Sequence, residues 1–229
     1  MLYFFVKYLN GDLTMKLQKP KIPDSLLESE NMKEVVMNLT SSGYDIENYH
    51  FKNCRLNDIS SISVEFSKCI LEKCSINKCD VQNFVFDNVI FRDCDISNMD
   101  FSDAVFRNTE FINCNLTGII LSHTRLSDIS VSSCNMQYSN LTNSYITRSR
   151  IENSNLSNSY IWEAQLKDVE FEQCTLVSVE FTGTMLKGID FTSCKMEGLL
   201  IKGPELKGAI VNEFQALSLS KLLGIIIKE

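Results

Sequence analysis

The chain has 229 residues, 44% of them hydrophobic and 22% charged, with a net charge of −7. That length and balance fit a single folded body, and the acidic excess argues against nucleic acid as a direct partner. No basic patch is apparent in the sequence, and the nine cysteines, an odd number, read as reduced thiols of a cytoplasmic protein rather than a disulfide framework.

In chain order, residues 1–14 open with the apolar run Leu2, Tyr3, Phe4, Phe5 and Val6, which is too short to span a bilayer and lacks a small-residue cleavage site. Met15 begins a more ordinary start, so the first fourteen residues read as an upstream extension or a tail. Beyond Pro20 and Pro23, Met32, Val35, Val36 and Leu39 stand at helical spacing. They predict a short helix within Ser29 to Leu39 that covers the open N-terminal end of the folded body. Residues 1–43 are thus a tail and capping segment.

From Ile46 to Val211 an apolar residue occupies every fifth position, with Ser61 the only exception. Two places earlier in each unit stands a small or moderately apolar residue, and all nine cysteines take that place. Cys54, Cys74, Cys94, Cys114, Cys134, Cys174 and Cys194 are spaced by multiples of twenty, with Ser154 filling the gap. A period of five suits neither a helix nor a flat strand, so the chain must turn a corner about once per unit. The period of twenty then says that four units close one lap and lay residue n against n+20. Phe91 is expected on Phe111, Phe171 on Phe191, and Phe66, Phe86 and Phe106 in one stack, where rings gain beyond simple burial. Each unit cannot bury its apolar side alone, and stacking builds the core.

Units such as Ala104 to Asn108, Cys114 to Gly118 and Ser154 to Asn158 resemble the pentapeptide-repeat family over about residues 44–211. The resemblance implies an all-β solenoid, a right-handed quadrilateral parallel β-helix with short terminal helices, rising roughly 40 Å at the usual interstrand spacing.

Beyond Val211, Asn212 and Gln215 form a capping pair for a helix running to Leu223 and closed by Gly224. Phe214, Leu217, Leu219, Leu222, Leu223, Ile225, Ile226 and Ile227 offer more apolar surface than one cap on a narrow rod can hide. Residues 212–229 are therefore read as a dimerisation element. This tail is similar to that of the Qnr-like branch of the family, bacterial quinolone-resistance proteins that dimerise tail to tail. A cap on a monomer is the plainer alternative.

Function falls to the outward positions. Between residues 80 and 110, Asp80, Asp87, Asp93, Asp95, Asp100, Asp103 and Glu110 stand against only Arg92 and Arg107. A second acidic group, Glu163, Asp168, Glu170, Glu172 and Glu180, faces only Lys167 nearby, with Arg125, Arg148 and Arg150 between the groups. Solubility explains such runs in the simplest reading. The resemblance implies more: an acidic rod that mimics DNA, binds DNA gyrase or topoisomerase IV and protects it from quinolones. Many Qnr proteins also carry loops that project from the coil, and here the phase never breaks. The alternative is a non-enzymatic interaction scaffold for another protein. An enzyme is not expected, because His50 and His123 sit beside no nucleophile with triad logic. The thiol column has neither a CxxC pair nor a histidine partner, so no metal or cofactor is assigned and small-residue packing explains it.

Overall fold

The structure is a computed structural model that describes residues 15–59, 63–79 and 84–226. Its body is a four-walled parallel β-helix whose strand pairs and bridges join residue n to n+20. Thus Phe66 pairs with Phe86, Phe86 with Phe106, and Phe91 with Phe111. The five-residue phase is the same on both sides of residues 60–62 and 80–83.

Walls 1 and 2 share one bent sheet. In chain order its strands are β1 (Leu27–Ser29), β2 (Ile46–Glu47), β3 (Tyr49–Lys52) and, past β4 (Arg55–Asn57) of wall 3, β5 (Val64–Glu72), β7 (Phe84–Arg92), β8 (Val105–Ile112), β9 (Arg125–Ser132), β10 (Tyr145–Glu152) and β11 (Gln165–Glu172). Wall 3 starts with β4 against β6 (Ser75–Asn77) and continues as single bridges such as Asp95 to Asn115. Wall 4 is a ladder of bridges from Asp100 through Ile120, Asn140, Tyr160 and Glu180 to Leu200.

The corners follow from side-chain chemistry. Nearly every fifth residue from Asn48 to Ser178 adopts a positive φ, and many of these are Asn, Asp or Gly, the residues that tolerate the left-handed region most readily. Gly118 stands at φ +67°, where a Cβ would come within 2.5 Å of Asn98 Oδ1.

One core fills the coil. Phe86 stacks between Phe66 and Phe106, with centroids 5.4 and 4.8 Å away, and Phe91 lies on Phe111 at 4.8 Å, as the spacing requires. The cysteines have a role that packing alone does not convey. Each thiol of the column reaches back to a carbonyl of the preceding lap, Cys94 to Leu71 at 3.2 Å and Cys174 to Ile151 at 3.2 Å. Thr109 and Thr184 do the same with hydroxyls, toward Phe86 and Ile161. The inner corner position thus favours a small side chain that can donate.

Both ends are covered. Helix α1 (Met32–Ser41) is capped by Asn31, whose side chain accepts the Glu34 N–H, and it buries Met32 and Val36. It starts at Met32, the first of the apolar positions, and runs two residues past Leu39; before it, residues 27–29 add a parallel strand to the first lap, with Leu27 paired to Tyr49 and Ser29 to Phe51. That strand shields an edge which would otherwise offer free backbone groups. At the other end, α2 (Glu213–Ser220) has the full capping box, with Asn212 Oδ1 accepting the Gln215 N–H at 3.0 Å and Gln215 Oε1 accepting the Asn212 N–H at 2.8 Å. Gln215 Nε2 also donates to the carbonyls of Phe191 and Cys194, closing part of the last lap.

Candidate protein-interaction face

Winding the chain redistributes its charges. Of the acidic residues marked by sequence, Asp87 lies on wall 1 beside Arg107 of the next lap, and Glu110 lies on wall 2 beside Ile90. Asp95 is on wall 3 and Asp100 on wall 4, while Asp93 and Asp103 occupy the corners that flank these two walls. Asp80 falls outside the described residues. The group therefore girdles the rod, and only Asp93, Asp95, Asp100 and Asp103 share its wall 3 and wall 4 side, where all four are exposed.

That side has a property hidden in the linear sequence. Five successive half-laps form it, residues 93–103, 113–123, 133–143, 153–163 and 173–183, and they contain neither lysine nor arginine. They carry six carboxylates: Asp93, Asp95, Asp100, Asp103, Glu163 and Glu180. The cations of the same laps, Arg92, Arg107, Arg125, Arg148, Arg150 and Lys167, all stand on walls 1 and 2 or their shared corner. Wall 1 continues with Lys187 and Lys207. The second acidic group divides similarly. Glu170 is held by Arg150 at 2.7 Å on wall 2, although the two are twenty residues apart.

The carboxylates of walls 3 and 4 also serve the backbone. Asp95 Oδ1 accepts the N–H of Ser97 at 3.0 Å, and Asp100 Oδ1 that of Ser102 at 2.9 Å. Asn115, Asn135, Asn140 and Asn155 make the same bond two residues on. These turns require an Asp or Asn oxygen but not a charge.

Aromatic side chains interrupt the polar surface. Tyr138 is 58% exposed, Tyr160 43% and Trp162 37%, and the last two meet edge to face at 5.3 Å on wall 4. Their outward repeat positions are readable from the five-residue phase, but a count of charge alone passes over them. His50 is held by Glu72 at 3.0 Å on wall 2, and His123 sits at a corner of positive φ beside Asn143 and Tyr145.

The C-terminal apolar residues differ in exposure. Phe214, Leu217, Leu222, Ile225 and Ile226 are exposed, whereas Leu219 packs on the core. Leu223 ends the 3-10 turn Lys221–Leu223, and Ile227 lies outside the described residues.

A family model described as a pentapeptide repeat region matches residues 84–161. The central laps are pentapeptide repeats. The same five-residue pentapeptide phase runs on through the laps before and after them. Among solved structures, full-length QnrB1, a plasmid-mediated fluoroquinolone resistance protein, is 18% identical, with 88% of this chain and 98% of its own covered and a TM-score of 0.42. HetL, a pentapeptide repeat protein involved in heterocyst differentiation regulation in the cyanobacterium Nostoc, is 11% identical, with 93% and 97% covered and a TM-score of 0.31. Neither likeness bears on what this chain binds. No curated protein matches it. Among the described residues no helix is long and apolar enough to cross a membrane.

Proposed function

We propose that the cation-free side of walls 3 and 4 is presented to the DNA-binding surface of a type II topoisomerase, DNA gyrase or topoisomerase IV, in place of duplex DNA, and that this contact protects the enzyme from quinolones in the bacterial cytoplasm. The observation that carries the reading is the separation of charge: six carboxylates and no lysine or arginine over five half-laps. Such a face attracts a basic surface and repels an acidic one. Tyr138, Tyr160 and Trp162 add the residue types that anchor protein interfaces.

The magnitudes limit the imitation. Five laps rise roughly 19 Å from first to last at the usual strand spacing, a length over which duplex DNA carries about eleven charges. The face supplies about half of that density, so it competes for part of a DNA-binding surface and does not replace a whole duplex.

A homodimer through the C-terminal element completes the reading, because Phe214 at 75% and Ile226 at 88% exposure leave apolar surface for a second copy to cover. No step of chemistry is assigned to the chain. The test is expression in a quinolone-susceptible bacterium: the inhibitory drug concentration rises with the natural chain and returns to baseline when Asp93, Asp95, Asp100 and Asp103 are all replaced by asparagine. An unchanged concentration with abundant folded protein overturns the proposal.

A further inference from the structure

Residues 15–24 run along the outside of the coil, against the corner between walls 1 and 2. The Gln18 N–H donates to Asp128 Oδ1 at 3.3 Å, the Lys21 N–H to Asn88 Oδ1 at 2.9 Å, and, beyond a turn, the Leu27 N–H to the Asn48 carbonyl at 2.8 Å. Asn48, Asn88 and Asp128 belong to one corner column and stand two laps apart. The strap leaves Asn88 only 8% and Asp128 only 5% exposed, and Arg148 fixes the Asp128 carboxylate from the next lap.

The spacing has a physical origin. Pro20 and Pro23 hold their own φ and keep Lys19 and Ile22 out of the helical region, which leaves the strap extended. A polyproline II segment advances about 9.3 Å in three residues, and two laps of the coil rise about 9.6 Å. The N–H groups of Gln18 and Lys21, three residues apart, therefore meet corners that stand two laps apart. Met15, Leu17, Pro20, Ile22 and Pro23 are half-buried against the coil, and Lys16, Gln18, Lys19 and Lys21 between them are exposed.

We propose that this corner column is a recognition track for an extended peptide with prolines three residues apart, and that the chain's own residues 15–24 are its resident ligand. A segment of the same chemistry on a partner protein competes for the track when the strap lifts. This site is separate from walls 3 and 4 and does not depend on a topoisomerase partner.

Two measurements test it. In the natural chain, amide exchange is slow at Gln18 and Lys21 and fast at Lys19; equal rates at all three overturn the pitch match. In the second, a fluorescent peptide of residues 15–26 is titrated against a full-length variant with Gln18→Pro and Lys21→Pro, which removes both strap donors and leaves the coil's cooperative melt intact. The peptide binds this variant, binds the natural chain at least about tenfold more weakly, and loses about tenfold when Asn88→Gly is added, one hydrogen bond's worth of affinity at a position that keeps its positive φ. Equal binding to all three chains, or none to any, contradicts the proposal.

Discussion

The Asp100 carboxylate accepts two hydrogen bonds from Ser102, one from its N–H at 2.9 Å and one from its hydroxyl at 2.6 Å. The residue thus closes a turn and carries a charge, and the two roles are separable. Asparagine keeps the acceptor oxygen, as Asn115 and Asn140 do at equivalent places. Asp100→Asn is expected to leave the urea midpoint within about 0.5 kcal/mol of the natural chain, whereas Asp100→Ala costs about 0.5–1.5 kcal/mol. Chemical denaturation followed by circular dichroism distinguishes them, and equal losses for both contradict the turn assignment.

Phe86 is the hub of the aromatic core, in ring contact with Phe66, Phe84, Phe91, Phe101 and Phe106. Its replacement by alanine is expected to cost about 3–5 kcal/mol, the range for a buried ring whose cavity cannot collapse. The same change at exposed Tyr138 stays within about 0.5 kcal/mol.

The thiol column makes the coil sensitive to alkali. Burial pushes the Cys69 thiol up to about 11. The neighbouring thiol, Cys114 for Cys94 and Cys134 for Cys114, together with burial, pushes each of those two up to about 12. In the unfolded chain a thiol ionises near 8.5. The native state therefore holds protons that the unfolded state releases, and stability that is complete below about pH 8 falls as pH rises toward 12. Denaturant midpoints measured from pH 7 to 10.5 are expected to decline. Cys94→Ala with Cys114→Ala flattens that slope, and an unchanged slope contradicts the assignment.

The five-residue phase made the coil readable, and helical spacing at one end and the Asn212 and Gln215 pair at the other did the same for the helices and the capping box, because each depends on spacing and side-chain chemistry within a few residues. The face was not readable by the same means. Counting charges along residues 80–110 grouped Asp87 and Glu110 with Asp100, although the winding places them on different walls. It also separated Arg150 from Glu170, which touch. Charge had to be counted by half-lap. Strand β1 left no signal, since three residues pairing with an open edge need no periodicity of their own.

The tail supplies a further test. Light scattering is expected to give a dimer that becomes a monomer with Leu217→Asp, a half-exposed position whose change leaves the core untouched. A natural chain that stays monomeric at high concentration removes the tail from the proposed assembly.

The most direct measurement is inhibition of purified gyrase. The natural chain is expected to reduce quinolone-stabilised DNA cleavage, and the Asp93, Asp95, Asp100 and Asp103 to asparagine variant, equally stable, to have little effect. Cleavage that is the same with either protein in excess, or with neither, contradicts the anionic face as the binding surface.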